Sequence, residues 1–453
     1  MKGCKTELCR SPRDLPSVGE LLEDETVRTL SDAHGEELTK FAVRHVLDDS
    51  RRRLIAGKTV DLDGLKGKLE ELLLPSQKRV LNLTGTILHT NLGRAPLGSL
   101  LTSVSDRLRG YSVLEFDLKT GKRGKRGEAV ERLLRWVTGA EAALLVNNCS
   151  AAMILLLTVL AKDREVVVSR GELVEIGGGF RIPDILALSG AKLVEVGCTN
   201  RTRIADFEKA ITEETGLLLS THRSNFEIVG FTQSPTVDEL LALGEKHDLP
   251  VVYDLGSGML TPVVDGEPSV KEASRFSLTA FSGDKLMGGP QCGVIMGRKD
   301  LVERCRKHPF YRAFRCDKLT LALMEEVLRR HANAPDSVPT VELLNGDLNS
   351  LRERAKKFMS STKEFLPEGI MSHVVETEAQ VGGGSLPGGT VPSFAVKLSP
   401  QDPAAAQGLQ KKLRGASPPI IVRLEKGAAF LDFRSLQASD DEELIEGFRQ
   451  VFT

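Results

Sequence analysis

Leucine, valine and other apolar residues recur three and four positions apart through residues 1–75. "SVGELLEDETVRTL" (17–30), "GEELTKFAVRHVLDDSRRRLI" (35–55) and "LKGKLEELLL" (65–74) each place charged residues between them, which predicts amphipathic helices. "AGKTVDLD" (56–63) interrupts the second and third. "LPSQ" (74–77) closes the run, because proline disfavours helix at the residue before it. From 76 to 334 the pattern changes to short apolar runs alternating with helical stretches. "AALLV" (142–146), "EVVVS" (165–169), "AKLVEV" (191–196), "TGLLLST" (215–221), "LPVVYD" (249–254) and "RFSLTAFS" (275–282) read as strands. "AAMILLLTVLA" (151–161), "RIADFEKAIT" (203–212) and "VDELLALGEKH" (237–247) read as helices between them. This alternation predicts an α/β fold whose mostly parallel sheet is covered on both faces. "QCGVIMG" (291–297) follows so closely that an antiparallel strand is expected.

After the helix "KLTLALMEEVLRRHA" (318–332), "NAPDSVP" (333–339) reads as a joint. Residues 335–453 combine a helix (348–365), the strands "SFAVKL", "IIVRLE" and "AAFLDF", and a closing helix (440–452), an α+β pattern. "QVGGGSLPGGTVPS" (380–393) is expected to be a glycine-rich loop. The expected organisation is therefore 1–75 helical, 76–334 α/β and 335–453 α+β.

Composition narrows the class. The 453 residues carry a formal net charge of -1, so no global basic or acidic signature marks a partner. The longest apolar run is too short to span a bilayer, and "MKGCKTELCRSPRD" lacks the apolar stretch of a signal peptide, so a cytoplasmic location is expected. Seven cysteines, at 4, 9, 149, 198, 292, 305 and 316, show no zinc-ribbon spacing; free thiols and no metal are expected.

Candidate chemistry falls at three strand ends, where open α/β sheets bind ligands. "LLVNNCSAAM" (144–153) runs from a strand into a helix through Asn147, Asn148, Cys149 and Ser150. A helix start offers unpaired N–H groups to a phosphate, although Asn and Ser also serve there simply as caps. "VVYDLGSG" ends on Asp254. A buried aspartate stabilises the protonated ring nitrogen of pyridoxal phosphate, and it can equally be structural. "SGDKLMGGP" carries Lys285, the side-chain type that forms an imine with an aldehyde cofactor. Ser282 stands three residues earlier to meet the cofactor phosphate, and Gly283, Gly288 and Gly289 are expected to clear space for cofactor and substrate. Phosphate turn, strand-end Asp and Ser-x-x-Lys, in this order, resemble the aminotransferase-like (fold type I) pyridoxal phosphate enzymes.

A narrower resemblance rests on "LNLTGTILHTNLGRAPL", "VNNCSAA", "SRGELVEIGGGFRIPDI", "GCTNRT", "HRSNFEIVGF", "YDLGSGML", "SGDKLMGGPQCG", "RAFRCDKLTL" and "GGGSLPG". Together these resemble the bacterial selenocysteine synthases, the L-seryl-tRNA(Sec) selenium transferases. Cys149-Ser150, Met287 and Cys292 depart from the family's usual residues without removing a reactive group.

The resemblance implies an enzyme holding pyridoxal phosphate on Lys285. It implies β-elimination of the serine hydroxyl of L-seryl-tRNA(Sec) and addition of selenium from selenophosphate, with Lys285 as base and Asp254 at the ring. Asn148, Cys149, Ser150 and Ser282 would bind the cofactor. Arg94, Arg312 and Arg315 match family arginines implicated in holding the selenium donor, a role suited to a planar guanidinium. Arg123 and Arg126 in "GKRGKRGE" are either a further piece of that site across a subunit boundary, a tRNA contact, or a plain basic loop.

His222, Arg223 and Asn225 are expected to face the cleft, and the ring-stacking residue is sought between Glu172 and Gly178. The family's N-terminal domain recognises the tRNA. Residues 1–76 carry 13 Lys plus Arg against 15 Asp plus Glu, so the expected contacts are the local cluster of Lys40, Arg44, Arg51, Arg52 and Arg53, with Lys58 nearby. The resemblance further implies a homodecamer, a pentamer of dimers. The alternative reading is a pyridoxal phosphate β-eliminating ammonia-lyase acting on a small amino acid or amino sugar acid.

Overall fold

The computed structural model describes residues 8–176, 179–383 and 388–453. The chain divides into two compact units, one ending at Arg79 and one comprising Val80–Thr453.

In the first unit the helices span Val18–Glu23, Glu25–His34, Glu36–Ile55 and Leu62–Leu73, with a two-stranded pairing of Leu8–Cys9 and Val60–Asp61. The run expected as one helix over 17–30 is two. Asp24 takes extended backbone and its carboxylate accepts from the Thr26 N–H, which restarts the helix as an N-cap. Val27, Val43, Val46, Leu47, Leu65 and Leu69 form the core at helical spacing.

The second unit holds a seven-stranded sheet: β1 (Ala142–Val146), β2 (Glu165–Ser169), β3 (Lys192–Val196), β4 (Thr215–Thr221), β5 (Val251–Gly256), β6 (Leu278–Ser282) and β7 (Gly293–Gly297), in the order β3-β2-β4-β5-β6-β7-β1. All run parallel except β7, which is antiparallel to both neighbours. The short connection from Ser282 to Gly293 does not leave room for a crossover helix, so β7 must return alongside β6. Every residue of β1, β4, β5, β6 and β7 is buried. Ala143 and Leu145 point into one core, and Leu144 and Val146 into the other against the helix Cys149–Ala161. This two-sided burial explains why these strands read as continuous apolar runs.

A six-stranded sheet fills the rest. Its order is Leu81–Leu83, Ile420–Glu425, Ala428–Asp432, Thr390–Pro400, Ile370–Gly382 and Thr86–Leu88. The two edge strands come from just after Arg79, so residues 81–88 pair with the C-terminal strands rather than with the α/β sheet. The 13-residue strand Ile370–Gly382 was not expected. Its residues are mostly half-exposed or exposed, so it lacks a strong apolar alternation. It takes up the first part of the expected 380–393 loop, of which 384–387 lie outside the described residues.

Candidate active site

The carboxyl ends of β1, β5 and β6 converge on a cavity of about 330 Å³. Arg94, Asn148, Cys149, Ser150, Asp254, Gly256, Ser282, Asp284, Lys285, Gln291 and Cys292 line it. Register explains the convergence: Gly293 pairs with Ser282 on one side and with Val146 on the other, so the turn after β1 and the turn after β6 lie side by side. A side chain at Gly293 would collide with the Asn148 carbonyl, so only glycine lets the two turns approach so closely.

Lys285 and Asp254 are both buried, 5% and 4% exposed. Gly256, in left-handed backbone at φ +70°, sits between them. The point where its Cβ would lie is 3.7 Å from Lys285 Nζ, 3.9 Å from Ser224 Oγ and 4.0 Å from Asp254 Oδ1. An amine, a carboxylate and a hydroxyl therefore surround one side-chain-free patch of backbone. Burial pushes the Asp254 carboxyl up to about 6, against the opposing pull of the Lys285 and His222 charges and the Gly256 N–H. Near neutral pH it is mostly ionised, and it is costly to keep so unless a cation meets it.

The turn after β1 shows both expected uses. Asn148 caps its helix, its side-chain oxygen accepting from the Ala151 N–H at 2.8 Å. The first-turn N–H groups beyond it have no partner within the helix. Cys149 Sγ lies 4.0 Å from Asp254 Oδ1, and burial with that carboxylate nearby raises its thiol, keeping it protonated. Ser282, 6% exposed, completes the wall beside it.

Three of the expected glycines do different work. Gly283 is packed against Cys292, Met324 and Pro290; Gly288 takes φ +71° against Val338 and Thr340; Gly289 abuts the Gly283 carbonyl. They shape the turn that carries Lys285, and the open approach comes from Gly256, which the sequence reading did not single out.

Ser224 was likewise missed. It is 2% exposed and its hydroxyl has no hydrogen-bond partner among the described residues; the same holds for the Thr221 and Ser257 hydroxyls at the ends of β4 and β5. An unpaired buried hydroxyl costs about 1–3 kcal/mol, and that of Ser224 lies beside Gly256, where a polar ligand can meet it. Pyridoxal phosphate fits this donor set: Lys285 would meet its aldehyde, Asp254 its ring nitrogen, and the helix start with Ser282 its phosphate.

The arginines separate. Arg94, a non-glycine residue at φ +60°, lines the cavity and its Nη1 donates to Asp284 Oδ2 at 2.8 Å. Arg312 is exposed on the short helix Pro309–Ala313. Arg315 does not line the cavity; its Nη1 donates to Glu115 Oε1 at 3.3 Å. Arg123 and Arg126 reach the same carboxylate, at 2.7 and 2.6 Å.

His222 pairs through Nε2 with Glu267 Oε2 at 3.2 Å, and the Glu267 side chain is fully buried, so the imidazole is held in place. Arg223 reaches Ser234, and Asn225 donates to the Glu175 carbonyl. Within the stretch searched for a stacking residue, Glu172 is fixed by the Thr221 N–H at 2.9 Å and its carboxyl is pushed up to about 7 by burial; residues 177–178 lie outside the described residues.

In the N-terminal unit the basic cluster is largely self-compensated. Lys40 bridges Glu36 and Glu37, Arg51 pairs with Asp48, and Arg52 with Asp49. Arg44 is exposed on the same helix.

Residues 80–437 match the family model described as L-seryl-tRNA selenium transferase, and residues 12–51 match that of the selenocysteine synthase N terminal. An L-seryl-tRNA(Sec) selenium transferase of Geobacter sulfurreducens is 42% identical over 96% of this chain and 98% of its own length. Those of Geotalea daltonii and Aquifex aeolicus are 43% and 39% identical, each over 97% of this chain and 99% of the relative. Among solved structures, a D-glucosaminate-6-phosphate ammonia-lyase superposes with a TM-score of 0.57 at 19% identity, over 83% of this chain and 96% of the lyase. That likeness shows the fold, the aminotransferase-like one. With matching models over most of its length and relatives this similar end to end, the chain belongs to the L-seryl-tRNA(Sec) selenium transferase family.

Proposed function

We propose that this protein is a pyridoxal phosphate-dependent selenium transferase that converts L-seryl-tRNA(Sec) to L-selenocysteinyl-tRNA(Sec), with selenophosphate as donor. The observation that carries the chemistry is the burial of Lys285, Asp254 and Ser224 around the bare backbone of Gly256. Family membership carries the substrate.

When bound, pyridoxal phosphate supplies an electron sink for the bonds at Cα of serine. Lys285 Nζ would hold the cofactor and, as a free amine, would take the Cα proton of the serine so that its hydroxyl can leave. Asp254 would hold the proton of the ring nitrogen in place, its burial strengthening that pairing. The Cys149 and Ser150 N–H groups with the Ser282 hydroxyl would orient its phosphate. Asp284 fixes the Arg94 guanidinium at the cavity wall. Arg94, Arg312 and Arg315 hold the selenium donor, the latter two from outside this cavity.

Residues 1–75 form the tRNA-binding domain, 76–334 the catalytic domain apart from the edge strands within 81–88, and 335–453 the C-terminal domain whose sheet those strands complete, with Lys40, Arg44, Arg51, Arg52 and Arg53 on RNA phosphates. By the family resemblance the assembly is a cytoplasmic homodecamer. No helix among the described residues is long and apolar enough to cross a membrane.

The test is selenium incorporation from selenophosphate into serine-charged tRNA(Sec) and into ordinary serine-charged tRNA, by wild type and Lys285→Ala. Incorporation restricted to tRNA(Sec) and abolished by the substitution is expected. A yellow, folded protein that incorporates none overturns the reading in favour of a small-molecule β-eliminating ammonia-lyase.

A further inference from the structure

One carboxylate in the second unit serves three guanidinium groups. Glu115 accepts from Arg123 Nη2 at 2.7 Å, Arg126 Nε at 2.6 Å and Arg315 Nη1 at 3.3 Å. Its side chain is 21% exposed, and the Arg126 and Arg123 hydrogen bonds hold its carboxyl below the usual range, so it stays ionised. The cluster is one negative charge against three positive ones. It is also tied into the fold. Arg126 Nη1 donates to the Cys316 carbonyl at 2.9 Å, and the Asn147 N–H donates to the Phe314 carbonyl at 2.9 Å. Arg315 therefore lies between a residue held by Arg126, just after the hairpin of Phe116–Asp117 and Lys122–Arg123, and a residue held by the turn that opens the helix at Cys149. The Arg315 Nε is buried and has no partner among the described residues.

We propose that Glu115 is a positioning residue for the selenium-donor half of the reaction, acting through Arg315. This rests on the reading of Arg315 as a donor-site arginine. An arginine recognises a tetrahedral oxyanion only when its planar fork is aimed, and a free side chain of this length loses much rotamer entropy on being aimed. Glu115 does that aiming beforehand. With three donors converging on it, the carboxylate also screens the mutual repulsion of the guanidiniums. A glutamine keeps the shape, but it has one acceptor oxygen and no charge, so it cannot hold all three. The two surplus positive charges remain for the anion.

The experiment uses the cofactor-loaded full chain, with Glu115→Gln, Glu115→Asp, Arg315→Ala and the Glu115→Gln/Arg315→Ala double variant. Two readouts separate the halves of the reaction: KM and kcat for selenophosphate in selenocysteinyl-tRNA formation, and the change in cofactor absorbance on adding seryl-tRNA(Sec) without donor. Glu115→Gln is expected to raise the selenophosphate KM about five- to tenfold, the loss of a charge-assisted hydrogen bond, while the donor-free absorbance change stays within about twofold. Glu115→Asp restores most of the loss. In the Arg315→Ala background Glu115→Gln adds less than about twofold, because the effect passes through that arginine.

A fall in KM would mean that Glu115 only competes with the donor, and it overturns the proposal. So do an unchanged KM, equal losses in both halves of the reaction, or additive losses in the double variant. Wild type that transfers no selenium fails the functional reading itself, and that outcome is visible before any variant is compared.

Discussion

Asp254→Asn separates what the site costs from what it does. Asp254 is 4% exposed and its carboxyl sits at about 6 in the fold, against an ordinary 3.8. A rise of that size corresponds to about 3 kcal/mol of destabilisation once the group is ionised. The sign follows from proton uptake. Between about 3.8 and 6 the native state binds the proton that the unfolded chain has released, so the penalty is absent below this window and full above it. The attraction of Lys285 and His222 is already contained in that value. Asparagine mimics the neutral acid. The cofactor-free Asp254→Asn protein is therefore expected to be more stable than wild type by about 2–3 kcal/mol at about pH 8, and by roughly half that at about pH 5. Its selenium transfer should nonetheless fall by about a hundredfold or more, because the ring nitrogen loses its counter-ion. Denaturant titrations of both stripped proteins at the two pH values, read against single-turnover assays of the reloaded ones, measure both effects. A variant no more stable than wild type at the higher pH would refute the reasoning, since Asp254 would then not be a buried charge that its own neighbours leave under-compensated.

Two further outcomes follow from the geometry. Gly256→Ala places a methyl group 3.7 Å from Lys285 Nζ at φ +70°, so the protein should fold with a loss of about 1–2 kcal/mol yet bind pyridoxal phosphate at least about tenfold more weakly, read by absorbance titration and thermal melts. In the N-terminal unit, Arg44→Ala should weaken tRNA(Sec) binding about three- to tenfold and lower the salt slope by about one, whereas Lys40→Ala, whose charge is already shared by Glu36 and Glu37, should do less in the same filter-binding titrations.

The sequence by itself determined the α/β class and most of the central strands, because strands buried on both faces must be apolar runs of limited length and the helices between them must be amphipathic. It also named the candidate reactive groups. Lys285, Asp254 and Ser282 stand at the ends of such runs, and strand ends are where an open sheet exposes backbone and side chains to a ligand. The sequence did not show that 81–88 joins the C-terminal sheet, since three-residue strands carry too little pattern to choose a partner hundreds of residues away. Nor did it show Ile370–Gly382, whose exposed residues blur the alternation. Which glycine opens the cavity was a matter of packing: Gly283, Gly288 and Gly289 are crowded by neighbours, while Gly256 faces Lys285 and Asp254. The arginines make the same point. The family resemblance groups them as candidate donor-site arginines, but only the tertiary structure divided them, giving Arg94 to Asp284 and Arg315 to Glu115, because the partner of a long charged side chain is fixed by what the fold brings within reach and not by its neighbours in the chain.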